Sequence, residues 1–246
     1  MRALAAAVAL AIAVTSSQAL AQQTKKSSVS QLQAEITRDP NNPTLHIELG
    51  LAYWDRNDYP RALEAFQRAV KVGPRVAEAH NWLGVALSEK ADLPGAIAEF
   101  KQAVELDPKY GRAYTNLGAA LAKSGDFTGA VTVFHQALAL EPDSLAAHLN
   151  LGRALRETGD LDGALEHLKV VAAADATTAT VHYEIGQVLR QNGDLAGAVA
   201  SFERALELDP ELREGYYGLG LALKAQSASL QSTPPSCVAA PARQLR

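Results

Sequence analysis

Apolar residues along this chain fall into helical stripes broken by short polar turns. In the stretch LGRALRETGDLDGAL, Leu151 and Leu155 lie on one face of a helix, and Leu161, Ala164, Leu165 and Leu168 mark a second stripe. Gly159 between them predicts a helix stop in the left-handed conformation that glycine adopts cheaply. Asp160 is placed to accept from the unpaired amides that open the next helix. Two helices joined by a tight turn follow from this pattern. Other uses of GDLDG need more than it has: a calcium loop requires several further oxygen ligands, and a phosphate loop a glycine-rich run with lysine and hydroxyl.

The same pattern returns every 34 residues. Leu-Gly stands at Leu49-Gly50, Leu83-Gly84, Leu117-Gly118, Leu151-Gly152 and Leu219-Gly220, with Ile185-Gly186 in the remaining slot. In register with these run Ala62, Ala96, Ala130, Ala164 and Ala198, then Phe66, Phe100, Phe134, Leu168 and Phe202, and finally Pro74, Pro108, Pro142 and Pro210. A fixed period carried by small, large and helix-breaking residues is the mark of a helical solenoid. The turns SGDFTG, NGDLAG and KADLPG keep the cap but not the second acid of GDLDG, so that acid has no role common to the turns.

These positions resemble the tetratricopeptide repeat, with LG at the seventh and eighth places, Ala at the twentieth, a large apolar residue at the twenty-fourth, Ala at the twenty-seventh and Pro at the thirty-second. The resemblance implies an all-α fold, a right-handed α-solenoid of helix-turn-helix units at 43–76, 77–110, 111–144, 145–178 and 179–212, closed by a capping helix at 213–226. The fourth unit departs from it. Ala176 replaces the proline and Val171 the small alanine, so a longer or looser junction is expected there. A short lead-in helix is expected within 22–42 and a disordered tail over 227–246, where proline and serine replace the periodic pattern.

The first residues, MRALAAAVALAIAVTSSQALAQQ, change the picture of location. Arg2, an apolar run from Ala3 to Val14 and Ala19-Leu20-Ala21 are the three regions of a secretory signal peptide over 1–21. The run is too short to span a bilayer, which needs ~20 apolar residues. An exported protein, periplasmic or secreted, is therefore expected. Cys237 is the sole cysteine, so no internal disulfide can form. A net charge of −4 lacks the positive excess of a nucleic-acid binder.

Candidate chemistry lies in the columns that the family resemblance places on the inner face of the first helices. The early repeats offer apolar residues, Ile47, Leu51, Trp54 and Val85. The later ones carry Arg153, Arg156, Arg190 and Lys224 beside Tyr183 and Tyr217. Neighbouring helices pack ~8–10 Å apart, so the cations would form a row of like charges. Two readings are open: an acidic ligand bridges the row, or neighbours such as Glu157 neutralise it. Asn116 and Asn150, at the sixth position, suit peptide-backbone contacts in this family. The Lys and Asn pair with which family members grip a C-terminal carboxylate is absent.

Trp54 is expected under the lead-in helix, and Trp82 between repeats. His46, His80, His148 and His182 share the fourth position, each expected to fill a gap between helices with one polar edge left for water. His135 and His167 fall on second helices and join no cluster. Neither a metal site, a cofactor nor a catalytic constellation is expected, since metal needs three or four convergent ligands and no activated nucleophile is in view. The expected function is a non-catalytic protein-interaction scaffold of the cell envelope, without a membrane span. Its alternatives are a homo-oligomer that stacks end to end and an adaptor for an anionic polymer or envelope glycan.

Overall fold

A computed structural model describes residues 28–232. The signal peptide and the last part of the expected tail lie outside them. Among the described residues there are twelve helices: α1 Val29–Arg38, α2 Pro43–Trp54, α3 Tyr59–Val72, α4 Ala77–Glu89, α5 Leu93–Leu106, α6 Gly111–Lys123, α7 Phe127–Leu140, α8 Leu145–Thr158, α9 Leu161–Ala174, α10 Ala179–Gln191, α11 Leu195–Leu208 and α12 Arg213–Ser232. α12 runs on to Ser232, past the end expected at 226.

The described residues divide into two compact units, separated between Ala120 and Leu121. In the first, α1 packs on α2, α2 pairs with α3, and α4 pairs with α5. In the second, α8 pairs with α9 and α10 with α11, which in turn packs on α12. Each unit is thus a solenoid-like stack of antiparallel pairs. The glycine of each first helix explains the close pairing: an added Cβ at Gly84 would meet the Phe100 ring at 2.7 Å, at Gly186 the Phe202 ring at 2.8 Å, and at Gly152 Leu168 at 2.7 Å. Phe66, Phe100, Phe134, Phe202 and Leu168 are fully buried, each stabilising its unit by roughly 1.5–3 kcal/mol.

Asp160 caps α9 as expected, its Oδ1 accepting from the Gly163 amide at 3.0 Å. Asp92, Asp126 and Asp194 do the same for Gly95, Gly129 and Gly197. The second glycine of GDLDG has its own reason, because a Cβ at Gly163 would sit 2.5 Å from the Asp160 carboxylate. Gly159 stops α8 at φ 91°, and Gly125 and Gly193 take the same conformation. Asn57 and Ala91 adopt it without being glycine.

The fourth junction is as short as the others, but among the described residues the Thr178 amide makes no bond to the Asp175 carbonyl, where Val76, Tyr110, Ser144 and Leu212 bond to Gly73, Asp107, Glu141 and Asp209. Residues 175–178 separate α9 from α10, as residues 107–110 separate α5 from α6. Asp175 Oδ1 accepts from the Thr177 amide at 2.9 Å, the bond that Asp107 and Asp209 make to the amides of Lys109 and Glu211. The hydroxyls of Thr177 and Thr178 add two more donors at 2.6 Å. These hydrogen bonds, led by the Thr177 side chain, hold the Asp175 carboxyl down to about 2. Here the side-chain bonds of Asp175 stand where the backbone bond and the proline are missing.

Candidate interaction surface

The apolar early face is largely core. Ile47 is 3% exposed, and Leu51, Trp54 and Trp82 pack against the same cluster. Trp54 lies edge-on to Tyr59 of α3 at 4.9 Å. The contact that α1 makes by hydrogen bond is instead to the neighbouring aromatic, with Gln33 Nε2 donating to the Tyr53 hydroxyl at 3.0 Å. Trp82 stacks on Phe66 of the preceding pair at 6.0 Å, the inter-repeat packing expected of it. Asn116 is committed as well: its Nδ2 donates to Oδ1 of the fully buried Asn81 at 2.8 Å. That leaves less of it for a ligand than the sequence suggests.

The four cations separate into two kinds. Arg153 Nε donates to Glu184 Oε1 at 2.7 Å, and Arg156 Nη2 to Glu157 Oε1 at 2.8 Å. Arg156 Nε also lies 4.0 Å from Glu184 Oε2, and both atoms are buried without a hydrogen-bond partner. Two carboxylates, Glu157 on α8 and Glu184 on α10, therefore balance the two guanidiniums of α8. Glu157 is the neutralising neighbour expected from its spacing, whereas Glu184, itself 6% exposed, is not visible in the inner-face columns. It occupies the sixth position, the column of Asn116 and Asn150, and an acid there reaches the ninth position of the preceding first helix.

Arg190 and Lys224 have no carboxylate partner among the described residues. Arg190 donates through Nε and Nη2 to Gln187 Oε1 at 3.3 and 3.2 Å, and Gln187 Nε2 donates to the Tyr183 hydroxyl at 2.7 Å. The Tyr183 ring rests against Phe202 at 5.8 Å. This chain of contacts fixes Tyr183, Gln187 and Arg190 on one side of α10. On α12, in contact with α10, Lys224 is exposed and Tyr217 is 72% exposed. Asn150 is half-buried on α8.

The histidine column has a structural use that its spacing alone does not reveal. The Nε2 of His46, His80, His148 and His182 each meets the carbonyl six residues back, at Pro40, Pro74, Pro142 and Ala176, between 2.9 and 3.2 Å. A carbonyl only accepts, so these nitrogens carry the proton, and the polar edge goes to the preceding junction rather than to water. In His80 and His148 the other nitrogen meets the paired helix. His80 Nδ1 meets Glu99 Oε2 at 2.6 Å, while at the equivalent place His148 Nδ1 meets His167 Nδ1 at 2.9 Å. His135 is 6.1 Å from His167 ring to ring, so His135 and His167 do join a cluster. Burial, then His148 and more weakly His135, lower the His167 pKa against the opposing pull of Glu166 and Asp160. Among the described residues no three His, Cys, Asp or Glu gather at metal-ligating spacing.

Models described as tetratricopeptide repeat match residues 47–111, 99–132 and 121–183, and one described as TPR repeat matches 186–227. The chain is a tetratricopeptide repeat protein. Membership places it in a family of non-catalytic interaction scaffolds, whose partners are proteins or peptides. No curated protein matches it in sequence. Solved structures similar to this tetratricopeptide protein include YrrB, described as having an unusual peptide-binding site (TM-score 0.65, 21% identity, 81% of this chain and 100% of that one). The type IV pilus biogenesis factor PilW is similar at TM-score 0.66 and 22% identity, over 78% of this chain and 93% of PilW. MamA from Desulfovibrio magneticus RS-1 aligns at TM-score 0.63 and 21% identity, over 70% and 97%. At these identities the likeness is one of fold. Among the described residues no helix is long and apolar enough to cross a membrane.

Proposed function

We propose that this tetratricopeptide protein is an exported scaffold of the cell envelope, periplasmic or secreted, that holds an acidic segment of a partner protein on the first-helix face of its second unit. The observation that carries this reading is the pair of cations without carboxylate partners, Arg190 and Lys224, beside the exposed Tyr217 and the anchored Tyr183. Guanidinium and ammonium donors suit a carboxylate, and tyrosines offer apolar area with a polar tip. Arg153 and Arg156 border the face but are already paired, so they add shape more than charge. The N-terminal residues, ordered as a signal peptide, support export. YrrB, with its peptide-binding site, and PilW, a pilus biogenesis factor, are consistent with such a role.

Crosslinking in the native host identifies the partner, and a double variant tests the face. Arg190→Ala with Lys224→Ala should weaken the captured partner by about 1–3 kcal/mol for each charge-assisted hydrogen bond removed, with helicity unchanged. Arg68, on the second helix α3, is the control and should matter little. Equal affinity of double variant and wild type at low salt would reduce the basic face to solvated surface.

A further inference from the structure

The last first helix is built like the others but packs differently. In the preceding pairs, the first helix offers its second helix three positions. The fourth holds His46 and His80 at 6% exposure, the eighth a buried glycine, and the eleventh Tyr53 at 8% and Leu155 at 6%. On α12 these positions are Tyr216, Gly220 and Leu223. Tyr216 is 56% exposed and Leu223 46%. A Cβ at Gly220 would meet nothing within 4 Å, where its counterparts meet Phe100, Leu168 and Phe202 at under 3 Å. Among the described residues the notch that elsewhere receives a large apolar side chain is open, and a large apolar side chain stands exposed one turn away.

We propose that this face of α12 is the contact between two copies of the chain, each Tyr216 entering the Gly220 notch of the other. The spacing makes the face self-complementary. Tyr216 and Gly220 are four residues apart, ~6 Å along the axis, so antiparallel α12 helices related by a two-fold axis at residue 218 bring both rings over both glycines at once. A two-fold contact needs this reciprocity. Long helical side chains lean toward their own N-terminus, which explains why Tyr216 does not cover Gly220 of its own helix. In the antiparallel partner the same lean carries the ring across the notch toward Leu223. The sequence after Ser232 is a poor internal filler, because it has Pro234, Pro235 and Pro241 and lacks the Ala62, Phe66, Ala69 spacing of the second helices.

Sedimentation equilibrium of the full chain tests the contact. The mass should rise with concentration from 26.1 kDa toward twice that. Gly220→Leu, which fills the notch at an exposed site, and Tyr216→Ser, which removes the plug, should each weaken the dimer at least ~10-fold, as truncation of a central apolar anchor does, with unchanged circular dichroism. The register is tested in a Cys237→Ser background by mixing Tyr216→Cys with Gly220→Cys chains and oxidising. Crosslinked dimer should form in the mixture well above either chain alone. A wild type that stays monomeric, a dimer indifferent to Gly220→Leu, or equal crosslinking in all three samples overturns the proposal. A monomer that instead binds a peptide spanning residues 194–209 would give the notch to a foreign helix, and overturns it too. The outcome is distinguishable from that of the partner-binding face through Arg190→Ala alone, because Arg190 stands on α10 and its loss leaves the α12 surface intact.

Discussion

Glu184 shows how one side chain redefines a surface. Read by columns, the arginines form an unbalanced row, and the balance comes from a residue outside the columns that line the inner face. Its Oε1 is 2.7 Å from Arg153 Nε, and its Oε2 faces Arg156 Nε across 4.0 Å. Breaking a buried pair costs about 3–5 kcal/mol because the stranded charge remains, but the Arg153 side chain is 39% exposed, so solvent screens part of the loss. Glu184→Gln should therefore lower stability by about 1–3 kcal/mol in urea unfolding. The same change frees the Arg153 guanidinium, while Arg156 keeps Glu157, and should tighten binding of a polyglutamate probe. Unchanged stability together with unchanged probe binding would mean that Glu184 only fills space.

At the scale of elements most of the architecture is legible in the sequence, because each helix pair carries its own start, stop and packing code. Gly159, Asp160, Ala164 and Leu168 specify one pair with no help from distant sequence. The fourth junction is legible only in part: its missing proline suggests a loose link, and Thr178 lacks the backbone turn bond of the other junctions, yet Asp175 keeps the side-chain bond that Asp107 and Asp209 make. The stop after α4 offers a test of the same code: Ala91 stands at φ 63°, where glycine serves the later turns. An L-residue there costs roughly 1–2 kcal/mol, partly offset by the larger unfolded-state entropy of glycine. Ala91→Gly should thus stabilise the protein by up to about 1 kcal/mol. Gly159→Ala, at a site where a Cβ meets nothing within 4 Å, should destabilise it by a similar amount. If thermal denaturation shows both changes to be neutral, backbone strain does not govern these turns.

Across the whole molecule, the two units carry different chemistry at one repeated place, and this predicts where acid loosens the fold first. In the first unit His80 Nδ1 faces Glu99 Oε2 at 2.6 Å. In the second, His148 faces His167 at 2.9 Å, and a second proton on that pair would set like charges against each other. His135 adds to the opposition, while Glu166 and Asp160 relieve it only in part, so the His167 pKa lies below 6.5. The sign follows from linkage. The unfolded chain takes up the proton below about 6.5 and the folded chain does not, so this contribution is fully present above that pH and is lost as pH falls toward the folded value. In a solenoid, stability is local plus nearest-neighbour, so the effect should stay near its source. Hydrogen exchange followed from above pH 6.5 to below it, corrected for the intrinsic rate, should accelerate in α8 and α9 relative to α4 and α5. His167→Glu rebuilds the first unit's pairing in the second and should abolish the difference. Parallel changes in both units, or a His167→Glu protein that still loosens at α8 and α9 in acid, would show that the histidine pair does not set the acid response.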